Sequence, residues 1–227
     1  MSTQPAPKPA AAPPPARRWS YAEFARLPDD GNRYEVIAGE VYMTPAPRPI
    51  HQKVATRLVL LLEAFVQEHG LGEVFTGPID VLFGEGDYLE PDLVFVRAER
   101  LGTVSERGVE APPDLVVEVA SSSTALRDRN LKRERYTWFG VPEYWIVDPD
   151  ARHVEVYRML QDPHTPEIVR DALVWRLAPG APELRIEVQE LVRGFHVDTS
   201  SEAAAEPAPA DSAATPVAGA EQDGEHA

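Results

Sequence analysis

The chain has 227 residues, no cysteine and a formal net charge of −15. The lack of cysteine excludes disulfides and thiolate-held zinc, and no apolar run approaches the ~18 residues of a membrane span. The charge has the wrong sign for a strong general nucleic-acid binder, so such a partner would have to meet a local basic patch, a metal or an oligomeric groove.

Residues 1–18 hold six prolines among alanines, and residues 199–227 are mostly Ala, Pro, Ser, Asp and Glu with no Lys or Arg. Neither stretch can bury enough apolar surface to offset its chain entropy, so both are expected to be disordered, the first as an arm and the second as an acidic tail. Residues 19–198 are then one domain with a sizeable core. With six acids in the tail and three bases in the arm, that core carries a charge near −12. The N-terminus lacks the apolar stretch of a signal peptide, which leads to the expectation of a cytoplasmic protein without membrane contact.

Ser20-Tyr-Ala-Glu23 is a capping box opening a short helix, with Trp19 and Phe24 as apolar anchors. Residues 33–43 read as two strands about the turn Ala38-Gly39, and Pro45 and Pro47 then break the chain. Val54, Leu58, Leu61, Leu62 and Phe65 recur at helical spacing until Gly70 stops the helix. Residues 73–83 and 88–96 read as an antiparallel hairpin closed by Gly84-Glu-Gly-Asp87. A strand over 114–120 follows Pro112-Pro113, and a charged helix over 125–139 ends at Gly140-Val-Pro142. Strands over 143–147 and 153–157 come next, then peripheral β structure over 168–177 and 184–188. The order predicts a mixed α+β (α/β) fold, a central mixed sheet flanked by helices with extra peripheral strands.

Three carboxylates stand out because they interrupt apolar strands. Tyr88-Leu-Glu-Pro-Asp-Leu-Val-Phe-Val96 sets Glu90 and Asp92 at a strand start, and Asp114-Leu-Val-Val-Glu-Val-Ala120 sets Glu118 in mid-strand. A buried carboxylate is costly unless it is paired or holds a cation. Alternation puts Glu118 on the face of Val116 and Ala120, and Pro91 marks the strand that Asp92 opens. If these strands are neighbours, Asp92 and Glu118 can reach one cation. Asp114 lies about 13 Å from Glu118 at ~3.3 Å per residue, too far to share a Mg²⁺ with bonds of ~2.1 Å, and reads as a turn acid. Asp80 reads first as an exposed or hairpin-paired carboxylate. Asp128 and Lys132 are an i,i+4 pair that alone would be a solvated salt bridge worth ~0.3–0.5 kcal/mol.

Several linked motifs now resemble a known family. Tyr34-Glu-Val-Ile-Ala-Gly-Glu40, Pro45-Ala-Pro47, His51, Pro91-Asp-Leu-Val-Phe95 and Asp114-Leu-Val-Val-Glu-Val119 are similar to the Uma2 (DUF820) family. Asp128, Lys132, Tyr136 and Gly140-Val-Pro-Glu-Tyr-Trp-Ile-Val-Asp-Pro149 continue the likeness. The resemblance implies a restriction-endonuclease-like core of the PD-(D/E)XK superfamily. It implies that Asp92, Glu118 and the backbone carbonyl of Val119 hold Mg²⁺ or Mn²⁺, with a water as nucleophile for phosphodiester hydrolysis. It implies Lys132 as the assisting cation, because Ala120 stands where the superfamily pattern has lysine. Glu40 becomes the additional acid in preference to Glu35, His51 sits beside the site at a helix start, and Arg129 and Tyr136 lie within reach of a phosphate.

The expected function is a metal-dependent endonuclease acting on nucleic acid, DNA first. Its rivals are a non-catalytic module that keeps the fold and a hydrolase of smaller phosphoesters. The flat apolar strand of Tyr144 and Trp145 leaves homodimer pairing through a sheet edge open.

Overall fold

The computed structural model describes residues 19–194 apart from positions 29, 45 and 85. The expected arm (1–18) and tail (199–227) lie outside the described residues. In chain order the elements are α1 (Tyr21–Phe24), β1 (Arg33–Ile37), β2 (Glu40–Thr44), α2 (Pro49–His69), β3 (Gly72–Thr76), β4 (Val81–Gly84), β5 (Asp87–Leu89) and β6 (Leu93–Arg97). After a 3₁₀ segment come β7 (Val104–Ser105), β8 (Gly108–Val109) and β9 (Leu115–Val119). Then follow α3 (Ala125–Arg127), a π turn (Asp128–Lys132) and α4 (Arg133–Phe139). Last are β10 (Glu143–Asp148), β11 (His153–Arg158), β12 (Glu167–Val169), β13 (Ala172–Trp175), β14 (Leu184–Glu187) and α5 (Val188–Leu191).

The central sheet runs β12-β11-β10-β9-β6-β3, with β9 and β10 parallel and the other neighbours antiparallel. Period-two alternation gives it two apolar faces. Leu93, Phe95, Leu115, Val117, Val119, Trp145 and Val147 pack against Val54, Leu58, Leu62 and Phe65 of α2, and the small β13-β14 sheet closes this side. Val94, Val96, Val116 and Ile146 face the other way, onto Tyr136 of α4 and Ile37, Val81 and Leu89. Both long helical segments end on a left-handed glycine, Gly70 at φ 60° and Gly140 at φ 80°, where a Cβ would be strained.

Beside the expected central sheet lies a second one. The β1-β2 hairpin joins β5, β4, β8 and β7 in a second six-stranded sheet. The two long strands expected over 73–83 and 88–96 are each broken, at Pro78 and Pro91, which cannot donate to a ladder. Their outer halves, β3 and β6, stay in the central sheet, while β4 and β5 cross to the second. The strand of Tyr144 and Trp145 is no edge, since β10 pairs with β9 on one side and β11 on the other. Edge pairing of β10 in a homodimer therefore has no free ladder to use. Leu61, counted among the core-facing residues of α2, is 40 % exposed.

Candidate active site

The site begins with strand register. Leu93 of β6 stands opposite Val117 of antiparallel β9, so one further step sets Asp92 beside Glu118. Even-numbered residues of both strands share the face that α4 and the second sheet cover.

Asp92 is buried. Its Oδ1 accepts from Arg33 Nη1 at 3.1 Å, and its Oδ2 meets His51 Nε2 at 3.0 Å and accepts the Val119 amide at 2.8 Å. Burial opposes ionisation, but the hydrogen bond and charge of His51, with Arg33 and the Val119 N–H, outweigh it and hold the carboxyl at about 2. His51 reaches it from the first turn of α2, and Arg33 from the start of β1 while also bonding Glu90.

Glu118 is buried among valines, and its Oε1 accepts from Lys132 Nζ at 2.8 Å and Tyr136 OH at 2.9 Å. Burial pushes this carboxyl up to about 8, with Asp128, Asp92 and Glu35 adding to the shift and Lys132 opposing it. Lys132 is only 2 % exposed, and its ammonium also lies 2.7 Å from Oε1 of Glu35. Burial alone would lower the lysine; the surrounding carboxylates, Glu118 foremost, raise it instead. Lys132 thus stitches β1 of the second sheet to β9 of the central one.

Residues four apart share a helix face, and here that face of the π turn is turned inward, so both Asp128 and Lys132 are buried. The pair is therefore no solvated salt bridge. Burial raises the Asp128 carboxyl, with Lys132 opposing.

Arg33, Glu35, His51, Asp92, Glu118, Val119, Asp128 and Lys132 line one cavity of about 160 Å³, together with Arg48, Arg127 and the loop Ser121 to Thr124. An adjoining groove of about 250 Å³ shares Arg33, His51 and Asp92 and continues along α2 past Gln52 and Thr56. Among the described residues, five buried side-chain atoms lack a hydrogen-bond partner. Three of them, His51 Nδ1, Arg127 Nε and Asp128 Oδ1, belong to residues of the 160 Å³ cavity. The cavity lining supplies four carboxylates, Glu35, Asp92, Glu118 and Asp128, and such oxygen ligands suit a hard divalent ion such as Mg²⁺ or Mn²⁺. The ion would have to displace nitrogen groups of Arg33, His51 and Lys132 now bonded to Asp92 and Glu118.

Of the sequence candidates, Asp92, Glu118, Lys132, His51 and Val119 come together in this cavity. Glu40 does not: it is exposed beside the β1-β2 turn and accepts from Tyr42 OH at 3.1 Å. Glu35 takes the inward place, 1 % exposed and bonded by the Glu90 amide at 2.9 Å. The signal was available, because Glu35 lies between Tyr34 and Val36 as Glu118 lies between valines, whereas Glu40 directly follows a turn glycine. Arg33 carried no comparable signal. Asp114 is held at the far end of β9 by Arg97 at 2.7 Å and Arg100 at 3.1 Å. Asp80 meets Tyr21 OH at 3.4 Å, outside the cavity. Tyr136 spends its hydroxyl on Glu118. Arg129 turns away to Asp148 and Glu155. Asp148, His153 and Glu155 offer ligand atoms within 4.8 Å of one another, with the Arg129 guanidinium bonded to both acids.

A mixed central sheet, with acids on adjacent strands and a buried lysine on the covering helix, defines a restriction-endonuclease-like α+β protein. At the level of fold the chain is similar to the crystal structure of "a putative nuclease belonging to DUF820" from Anabaena variabilis. The TM-score is 0.64 and the identity 22%, over 75% of this chain and 96% of that one. No curated protein matches the chain. The Uma2 family model, described as "Putative restriction endonuclease", matches residues 21–189, and the chain belongs to that family. Among the described residues no helix is long and apolar enough to cross a membrane.

Proposed function

We propose that this protein is a divalent-metal-dependent endonuclease that hydrolyses phosphodiester bonds of nucleic acid, most simply DNA. The observation that carries the reading is the register pairing of Asp92 with Glu118, with Lys132 bonded to Glu118 in the same cavity. Asp92, Glu118 and the Val119 carbonyl would hold Mg²⁺ or Mn²⁺. A strand residue directs its N–H and C=O to the same side, and the Val119 N–H already points at Asp92. When bound, the ion supplies Lewis-acid polarisation of the phosphodiester and activation of water. His51 and Arg33 keep Asp92 ionised and oriented. Glu35 and Glu118 hold the Lys132 ammonium where it can offset charge on a phosphoryl oxygen. Because its neighbours raise its pKa, Lys132 serves as a fixed positive charge and not as a general base.

One observation favours a second reading, a binding module that has kept the fold. Both oxygens of Asp92 are already engaged by protein groups. The test is cleavage of supercoiled plasmid and of single-stranded DNA in Mn²⁺, Mg²⁺ or EDTA, with Asp92→Ala purified in parallel. Metal-dependent cutting lost in the variant supports the nuclease. Equal cutting by both marks a contaminant, and no cutting on any substrate favours the module.

A further inference from the structure

We propose that the loop Ser121 to Thr124, with Arg127, is a phosphate-binding subsite distinct from the carboxylates and Lys132. Its natural ligand, a substrate phosphate of the nucleic-acid backbone, rests on the nuclease reading above.

Two observations point there. First, the loop follows β9 directly, so it starts three residues after Glu118 and lines the same cavity. The rest of that cavity is crowded with Glu35, Asp92, Glu118 and Asp128, which would repel an anion. Hydroxyl donors concentrate at the loop, four in succession, with Asp128 reaching Thr124 alone. Ser121 Oγ lies 3.0 Å from both Ser123 Oγ and Thr124 Oγ1, while Ser122 and Ser123 are exposed and reachable.

Second, Arg127 is a cation with an unused donor. Its side chain is 14 % exposed, and its Nε is buried without a partner. It bonds the Thr44 hydroxyl and lies over the Tyr42 ring. Its carboxylate neighbour Glu35 is loose at 3.5 Å, and that acid is already held by Lys132 at 2.7 Å. Buried N–H groups are seldom left unmatched, and the planar guanidinium fork matches a phosphate.

The test is calorimetric binding to the full chain of inorganic phosphate in EDTA, and of a phosphorothioate single-stranded oligonucleotide in Ca²⁺. The variants are Ser122→Ala/Ser123→Ala and Arg127→Gln, with Arg158→Gln, an exposed arginine paired with Glu167, as control. Expected is measurable wild-type binding of phosphate, weakened about tenfold or more by the first two variants and unchanged by the control. Arg127→Gln also removes a neighbour of Glu35, so the double serine variant, which deletes only exposed hydroxyls, keeps the test decisive. Wild-type affinity in both variants overturns the subsite, as does failure of the wild type to bind phosphate. Loss of phosphate binding in a protein that neither binds nor cuts nucleic acid upholds the subsite and removes the nuclease reading. Undiminished oligonucleotide binding by variants that still cut removes the subsite and leaves the nuclease standing.

Discussion

At Lys132 one ammonium serves two buried carboxylates, and the balance is sensitive to removing any member. Deleting one partner of a buried ion pair costs about 3–5 kcal/mol because it strands the other charge. Lys132→Met should lose stability on that scale in urea unfolding; a change below about 1 kcal/mol would show that the ammonium does not neutralise Glu35 and Glu118. Glu35→Gln should reduce cleavage about 10–100-fold, as loss of an orienting partner does, while Glu40→Gln should cut like wild type. The reverse ranking would return Glu40 to the site. The titrations set a pH profile for the metal-free chain. Asp92 ionises at about 2 when folded, below its unfolded ~3.9, so its contribution is present above ~4 and lost as pH falls through about 2. Burial foremost raises Glu118, with Lys132 opposing, and raises Glu90 to about 7, with Arg33 opposing. Their contribution is complete below the unfolded ~4.3 and lost as pH rises through their folded values. The melting temperature in EDTA should therefore fall between roughly pH 5 and 7.5; a rise over that interval would contradict these shifts.

At the scale of elements, the hairpin of the second sheet is fastened to α4 by Asp87. This buried acid takes the Ala38 amide at 2.8 Å and Arg135 Nε at 2.8 Å. Ala38 has φ 53° in the β1-β2 turn, a conformation that an L residue keeps only when its surroundings hold it. Asp87→Ala should destabilise by about 2–4 kcal/mol, combining a stranded amide and a partly stranded guanidinium. Differential scanning calorimetry would read it, and no loss would mean that the turn holds itself. Activity should fall with it, since the same hairpin carries Glu35 to Lys132.

At the scale of the whole molecule, charge and site pull in opposite directions. A chain of −15 repels a polyanion, and the cavity gathers the carboxylates of Glu35, Asp92, Glu118 and Asp128. Nucleic-acid binding should accordingly depend on the cation. Fluorescence anisotropy with a single-stranded oligonucleotide should give at least about tenfold tighter binding in Ca²⁺ than in EDTA, and a steep fall with added salt. Equal affinity in both buffers would argue for a basic surface that does not need the ion.

Much of this was legible in the chain itself. Alternation within 115–119 placed Glu118 on the Val116 face, and the helical period placed Val54, Leu58, Leu62 and Phe65 against the sheet, because burial imposes those periods locally. Isolated acids in apolar strands announced Asp92 and Glu118 because the desolvation cost is local too. What only the tertiary structure decided was partnership across long separations. The break at Pro91 sends β5 and β6 to different sheets, β10 acquires a neighbour on each side, and the helix face of Asp128 and Lys132 is packed inward. Glu35 displaces Glu40, and Arg33 joins Asp92, because strand order between two sheets sets which side chains meet. No period along one strand encodes that order.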